Sequence, residues 1–95
     1  MYKAIGRYGA YNCYEMDLGQ NTEIKYLTEG IVHKLNSIKP QEQIRIYVYD
    51  DKRLVGRIVD NRDVFDCNPN IPMIYLSNEE YNKWADDRLK QIRRI

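Results

Sequence analysis

The chain has 95 residues, 43% of them hydrophobic and 31% charged, and carries a formal net charge of +1. That length predicts one domain, 1–95, with one modest core burying roughly 60 to 65% of the surface an unfolded chain exposes. The near-zero charge excludes the strong basic field of an obligate nucleic-acid or membrane-surface binder; no apolar run reaches the roughly 18 to 20 residues of a membrane span and MYKAIGRYGAYN has no apolar leader, so the expected location is cytoplasmic.

Tyr2 to Asp17 mixes alternating tyrosines with Gly6, Gly9 and Ala10, which predicts a strand or a hairpin that turns near Gly9 and returns. Asn21 or Thr22 then caps a helix whose apolar residues Ile24, Leu27, Ile31, Leu35 and Ile38 recur at spacings of three and four. The helix should stop at Lys39-Pro40, because proline pushes its predecessor out of the helical region. From Gln43 to Tyr49 the apolar Ile44, Ile46 and Val48 alternate with Arg45, Tyr47 and Tyr49, the pattern of a strand with one face in a core.

Leu54 to Val59 is the expected hairpin partner, with Gly56 marking a weak point or a bulge. Asp60 to Asn70 reads as loop, and Ile71 to Leu76 as a short strand whose Pro72 places it at an edge or near a strand start. Ser77 and Glu80 form a capping box, and Leu76 and Tyr81 have the spacing of a hydrophobic staple. The stripe Tyr81, Trp84, Ala85, Leu89, Ile92 and Ile95 carries the last helix to the C-terminus. The expected class is α+β: an antiparallel sheet of three to five strands with two helices packed on one face, in the order β(β)-α-β-β-β-α.

No residue set in this order makes a catalytic or metal centre, so a non-enzymatic protein without cofactor or metal is expected. Tyr47-Val48-Tyr49-Asp50-Asp51 resembles the Tyr-x-Asp-Asp hairpin of reverse transcriptases, and that resemblance implies paired metal-binding carboxylates. It spans only these residues, and a two-metal site needs further carboxylates on a neighbouring strand. Aspartate is also a preferred type I turn residue, and Lys52-Arg53 neutralises the local charge, so a turn is the expected role. Asp60, Asp63 and Asp66 lack the order of a calcium loop and have Arg62 among them. Cys13 and Cys67 have no Cys-x-x-Cys spacing and only one histidine beside them, which predicts reduced thiols.

Three groups remain as candidates for partner contact. Tyr26, Gly30 and His33 share the outer face of the first helix, where a glycine at a cost of up to about 1 kcal/mol admits close approach of a partner. Arg88 falls within the apolar stripe of the last helix; it must snorkel, pair with an acid, or mark where the helix leaves the core. In the last case Ile92, Arg93, Arg94 and Ile95 form an exposed tail that contacts a partner or a second copy of the chain. Arg45, Tyr47 and Tyr49, with Arg57, line the outer sheet face, where tyrosines stack bases and arginines neutralise phosphates in single-strand binders.

From Thr22 onward the element order resembles that of double-stranded RNA-binding domains. That family starts its final helix with a lysine-rich cluster, whereas Asn78-Glu79-Glu80 stands here, so no binding residue carries over. Ile, Lys, Asn and Tyr, all with AT-rich codons, make up more than a third of the chain, which suggests an AT-rich bacterial or phage genome. The expected function is therefore a small protein-binding module, such as a phage or mobile-element inhibitor that docks on a host protein, for example a defence nuclease, in the anti-CRISPR manner. The rival reading is a nucleic-acid binder using the Tyr/Arg sheet face.

Overall fold

The computed structural model describes residues 1–38, 43–60 and 73–93, with side chains at all of these except 60, 73, 92 and 93. Five strands, β1 (Tyr2–Tyr8), β2 (Tyr14–Asn21), β3 (Arg45–Asp50), β4 (Arg53–Asp60) and β5 (Met73–Ser77), and two helices, α1 (Ile24–Ile38) and α2 (Asn78–Arg93), follow one another as β-β-α-β-β-β-α. All strand pairs are antiparallel, in the order β2-β1-β3-β4-β5. The α+β class and element order expected from the sequence are thus observed. The helix stop at Lys39-Pro40, the loop 61–70 with Cys67, and Ile71-Pro72 lie outside the described residues.

The N-terminal segment is a hairpin, as its alternation suggested. It turns at Gly9, whose φ of 81° lies in the region that glycine adopts without strain, and continues through a short 3-10 turn at Ala10–Asn12. Its second strand runs past Asp17 to Asn21, because a bulge opposite Ala4 and Ile5 absorbs Leu18 and lets that side chain enter the core. The Asn21 side chain then accepts a bond from the Glu23 amide at 3.0 Å, just ahead of α1.

Leu27, Ile31 and Leu35 of α1 are buried against Ala4, Leu18, Ile44, Ile46, Val48 and Ile58, and this is the main core. Tyr75 of β5 packs on the same face, with its hydroxyl 3.4 Å from the Val55 carbonyl. Gly56 makes room for it: a Cβ there would stand 2.6 Å from the Tyr75 hydroxyl and 2.5 Å from the Leu76 carbonyl oxygen. Burial raises the Tyr75 phenol pKa above its ordinary value, with Tyr2 and Glu80 adding to the rise.

The structure corrects one detail of the expected layering, since α2 lies on the opposite face from α1. Arg57 pairs with Tyr47 in the β3–β4 ladder and with Leu76 of β5, whereas its neighbour Ile58 pairs with Ile46 in the α1 core. Alternation sends Arg57 to the other side of the sheet, and there its guanidinium carbon lies 4.3 Å from the Tyr81 ring centroid of α2. Val59, on the Arg57 side, is 7% exposed yet belongs to no α1 contact cluster. The physical reason is occupancy: α1 already takes the apolar face, and α2, following β5 without a linker, brings amphipathic tyrosine and tryptophan to a face of tyrosines and arginines.

The core assignment predicts that Ile31→Ala, at a site with 0% exposure, lowers the unfolding free energy by about 2 to 5 kcal/mol. Denaturant unfolding followed by circular dichroism checks this, and an unchanged midpoint would mean α1 does not cover the sheet.

Candidate functional site

The concave surface between α2 and the β3–β4 ladder is built by strand alternation below and helical spacing above. Arg45 and Tyr47 rise from β3 and Arg57 from β4, while Tyr81, Trp84 and Arg88 descend from α2 at spacings of three and four. They enclose a groove of about 200 Å³ in which, among the described residues, no lining side chain is acidic.

The start of α2 is held by two sets of contacts. The Glu80 amide donates to Ser77 Oγ at 3.3 Å, the Ser77 hydroxyl lies 2.9 Å from Glu80 Oε1, and Asn78 Nδ2 donates to the Leu54 carbonyl at 3.0 Å. The Ser77 hydroxyl thus caps the Glu80 amide as half of the expected capping box, the Glu80 carboxylate accepts from the same hydroxyl, and the bond to Leu54 ties the helix to β4.

Two arginines of the groove, Arg57 and Arg88, lie over aromatic rings. The Arg57 guanidinium carbon is 5.4 Å from the Tyr47 centroid as well as 4.3 Å from that of Tyr81. Arg7 of β1 reaches the same Tyr47 ring at 5.4 Å, and Arg88 lies 5.3 Å from the Trp84 centroid. The Tyr81 and Trp84 rings are 5.7 Å apart, so cations and rings form a connected strip. Arg7 Nε faces Glu15 Oε2 at 3.6 Å, an ion-pair distance too long for a hydrogen bond, and Arg45 Nη2 donates to the Gly9 carbonyl at 2.9 Å. Arg57 Nε is buried with no hydrogen-bond partner among the described residues.

The sequence candidates separate into distinct regions. Arg45, Tyr47 and Arg88 meet at the groove, and Arg88 is exposed with its cation over Trp84, which is the snorkelling arrangement. Tyr49 is half-buried on the same sheet face but does not line the groove. Tyr26, Gly30 and His33 are exposed on α1; His33 borders a shallow depression with Ile24, Thr28, Val32 and Tyr75, and the Lys25 ammonium lies 5.9 Å from the Tyr26 centroid. The side chains of Ile92 and Arg93, and all of Arg94 and Ile95, lie outside the described residues, and with them the question of a projecting tail.

Sequence reasoning placed Tyr81 and Trp84 in a core stripe and left Arg7 unremarked. The signal was available in the ring types: tyrosine and tryptophan on a helix also bearing Arg88 suit a half-wet contact better than a dry core.

The acidic hairpin forms the expected turn with a different backbone. Asp50 pairs with Arg53, leaving Asp51 and Lys52 as a two-residue loop, and Asp51 has a φ of 53°. A positive φ at the first central residue alone is a feature of type II′ turns, whose twist matches a hairpin better than type I. The Met1 ammonium stands 3.5 Å from a carboxylate oxygen of each aspartate. Among the described residues no three His, Cys, Asp or Glu side chains are grouped to hold a metal, and no helix is long and apolar enough to cross a membrane.

No family model matches the chain, and neither the curated proteins nor the solved structures yield a match to it.

Because asparagine tolerates the same left-handed backbone as aspartate, the double variant Asp50→Asn, Asp51→Asn should change stability by no more than about 1 kcal/mol. Thermal melts with and without magnesium or manganese check the turn assignment: metal stabilisation of the parent but not the variant would make the pair a cation site.

Proposed function

We propose that the chain is a non-enzymatic protein-binding module that docks through the groove between α2 and the β3–β4 strands. One observation carries this reading: tryptophan, tyrosine and arginine, the residue types that dominate interface energetics, converge in one concave strip already ordered by mutual stacking. Their stacking means that little side-chain freedom remains to be lost when a partner arrives. The role of a phage or mobile-element inhibitor acting on a host protein, such as a defence nuclease, is the setting we propose for it, on the strength of the small domain and the abundance of Ile, Lys, Asn and Tyr alone.

The rival reading, nucleic-acid binding on the sheet face, has less support. Tyr47 is engaged by Arg7 and Arg57, so the tyrosine that would stack bases is committed to intramolecular contacts.

Affinity capture from the lysate of an AT-rich bacterium, with and without nuclease treatment, tests the two readings with the parent chain and an Arg88→Glu variant. Arg88 is exposed, so the variant should fold. The expected result is a discrete protein that survives nuclease treatment and is recovered at least tenfold less by the variant. Retention abolished by nuclease, or equal with both chains, would contradict docking of a protein at this groove.

A further inference from the structure

We propose that the groove is a carboxylate receptor, in which Arg57 and Arg88 bind the side chain of an aspartate or glutamate on an acidic peptide segment of the partner. The inference rests on the protein-binding reading and specifies the chemistry of what is bound.

Charge comes first. The chain holds 14 acidic residues against 15 basic ones, yet among the described residues no acid lines the groove that gathers Arg45, Arg57 and Arg88. Three like charges around one cavity repel one another, and an entering anion relieves that repulsion. Arg45 has a carbonyl acceptor at Gly9, whereas Arg57 and Arg88 have ring contacts. A ring attracts a cation but accepts few of its five N–H groups, and Arg57 Nε remains without an acceptor among the described residues.

Geometry then narrows the class. Tyr47 and Tyr81 both contact the Arg57 guanidinium, and Trp84 contacts that of Arg88; a planar donor fork held in this way matches a planar carboxylate in a bidentate pair. The cavity, about 200 Å³, is smaller than the roughly 300 to 1,000 Å³ of small-molecule sites and suits one side chain. A phosphate backbone fits less well. The net charge is only +1, which supplies little of the general attraction that phosphate-backbone binding relies on.

Trp84 is the only tryptophan in the chain and lines the groove, so its fluorescence reads occupancy directly. The full chain is titrated with hexaglutamate, hexaglutamine, inorganic phosphate and hexathymidylate. Hexaglutamate should give a saturable change that hexaglutamine does not, and Arg88→Gln and Arg57→Gln should each weaken it at least tenfold, about 1.4 kcal/mol. Circular dichroism establishes that each variant is folded; if Arg57→Gln is not, the exposed Arg88→Gln decides alone. No saturable response, an equal response to hexaglutamine, undiminished binding by Arg88→Gln, or tighter binding of phosphate or hexathymidylate would each overturn the proposal. Protein capture that survives nuclease and depends on Arg88 would still stand in those cases, which separates failure of the carboxylate from failure of protein docking.

Discussion

The contact of the Arg57 guanidinium with Tyr47 below and Tyr81 above is the interaction on which the second layer of this fold depends. A half-buried guanidinium loses hydration that ring contacts only partly replace; each is worth about 0.5 to 2 kcal/mol according to how far it is desolvated. The arrangement makes sense because the alternative face is taken. Ile46 and Val48 of the sheet are fully buried against Ile31 and Leu35 of α1, so the apolar face is already covered. A second helix must therefore cover tyrosine and arginine, and α2 does so with rings that have an apolar body and a polar or electron-rich edge.

This division of the sheet gives its faces different duties. The α1 face supplies the apolar burial that drives folding. The α2 face holds its partner helix through stacking, one side-chain bond to β4 and the Ser77 cap, and it retains a groove where a tightly packed core would have closed. Arg57 and Arg88 there are ordered by ring contacts with no acid among the described lining residues, which is the condition for binding an anion at small entropic cost.

The parts of this architecture legible in the sequence are those set by periodicity and local chemistry. The recurrence of Leu27, Ile31 and Leu35 identified the helix that closes the core, and Ser77 with Glu80 identified the start of the last helix, because both signals lie within a few residues of one another. The extension of β2 beyond Asp17 was hidden by a bulge: Leu18 interrupts the alternation that the eye follows, and only pairing with Ala4 and Ile5 shows why. The face chosen by α2 was hidden for a deeper reason. An amphipathic stripe says that a helix has a side to bury but not which side of a sheet receives it; that follows from competition with α1, a relation between elements far apart in the chain. The groove was half legible, since Arg45, Tyr47 and Arg88 were singled out, while Arg57 entered only the nucleic-acid reading and Tyr81 and Trp84 passed as core.

The placement of α2 is tested most directly by nuclear Overhauser contacts from the Tyr81 and Trp84 ring protons in solution. Contacts are expected from Tyr81 to the Arg57 methylenes, with the Arg57 signals shifted upfield and the shift reduced in Tyr81→Leu to what the Tyr47 ring contributes. Contacts from Tyr81 or Trp84 to Leu27, Ile31 or Leu35 instead would place both helices on one face and contradict it.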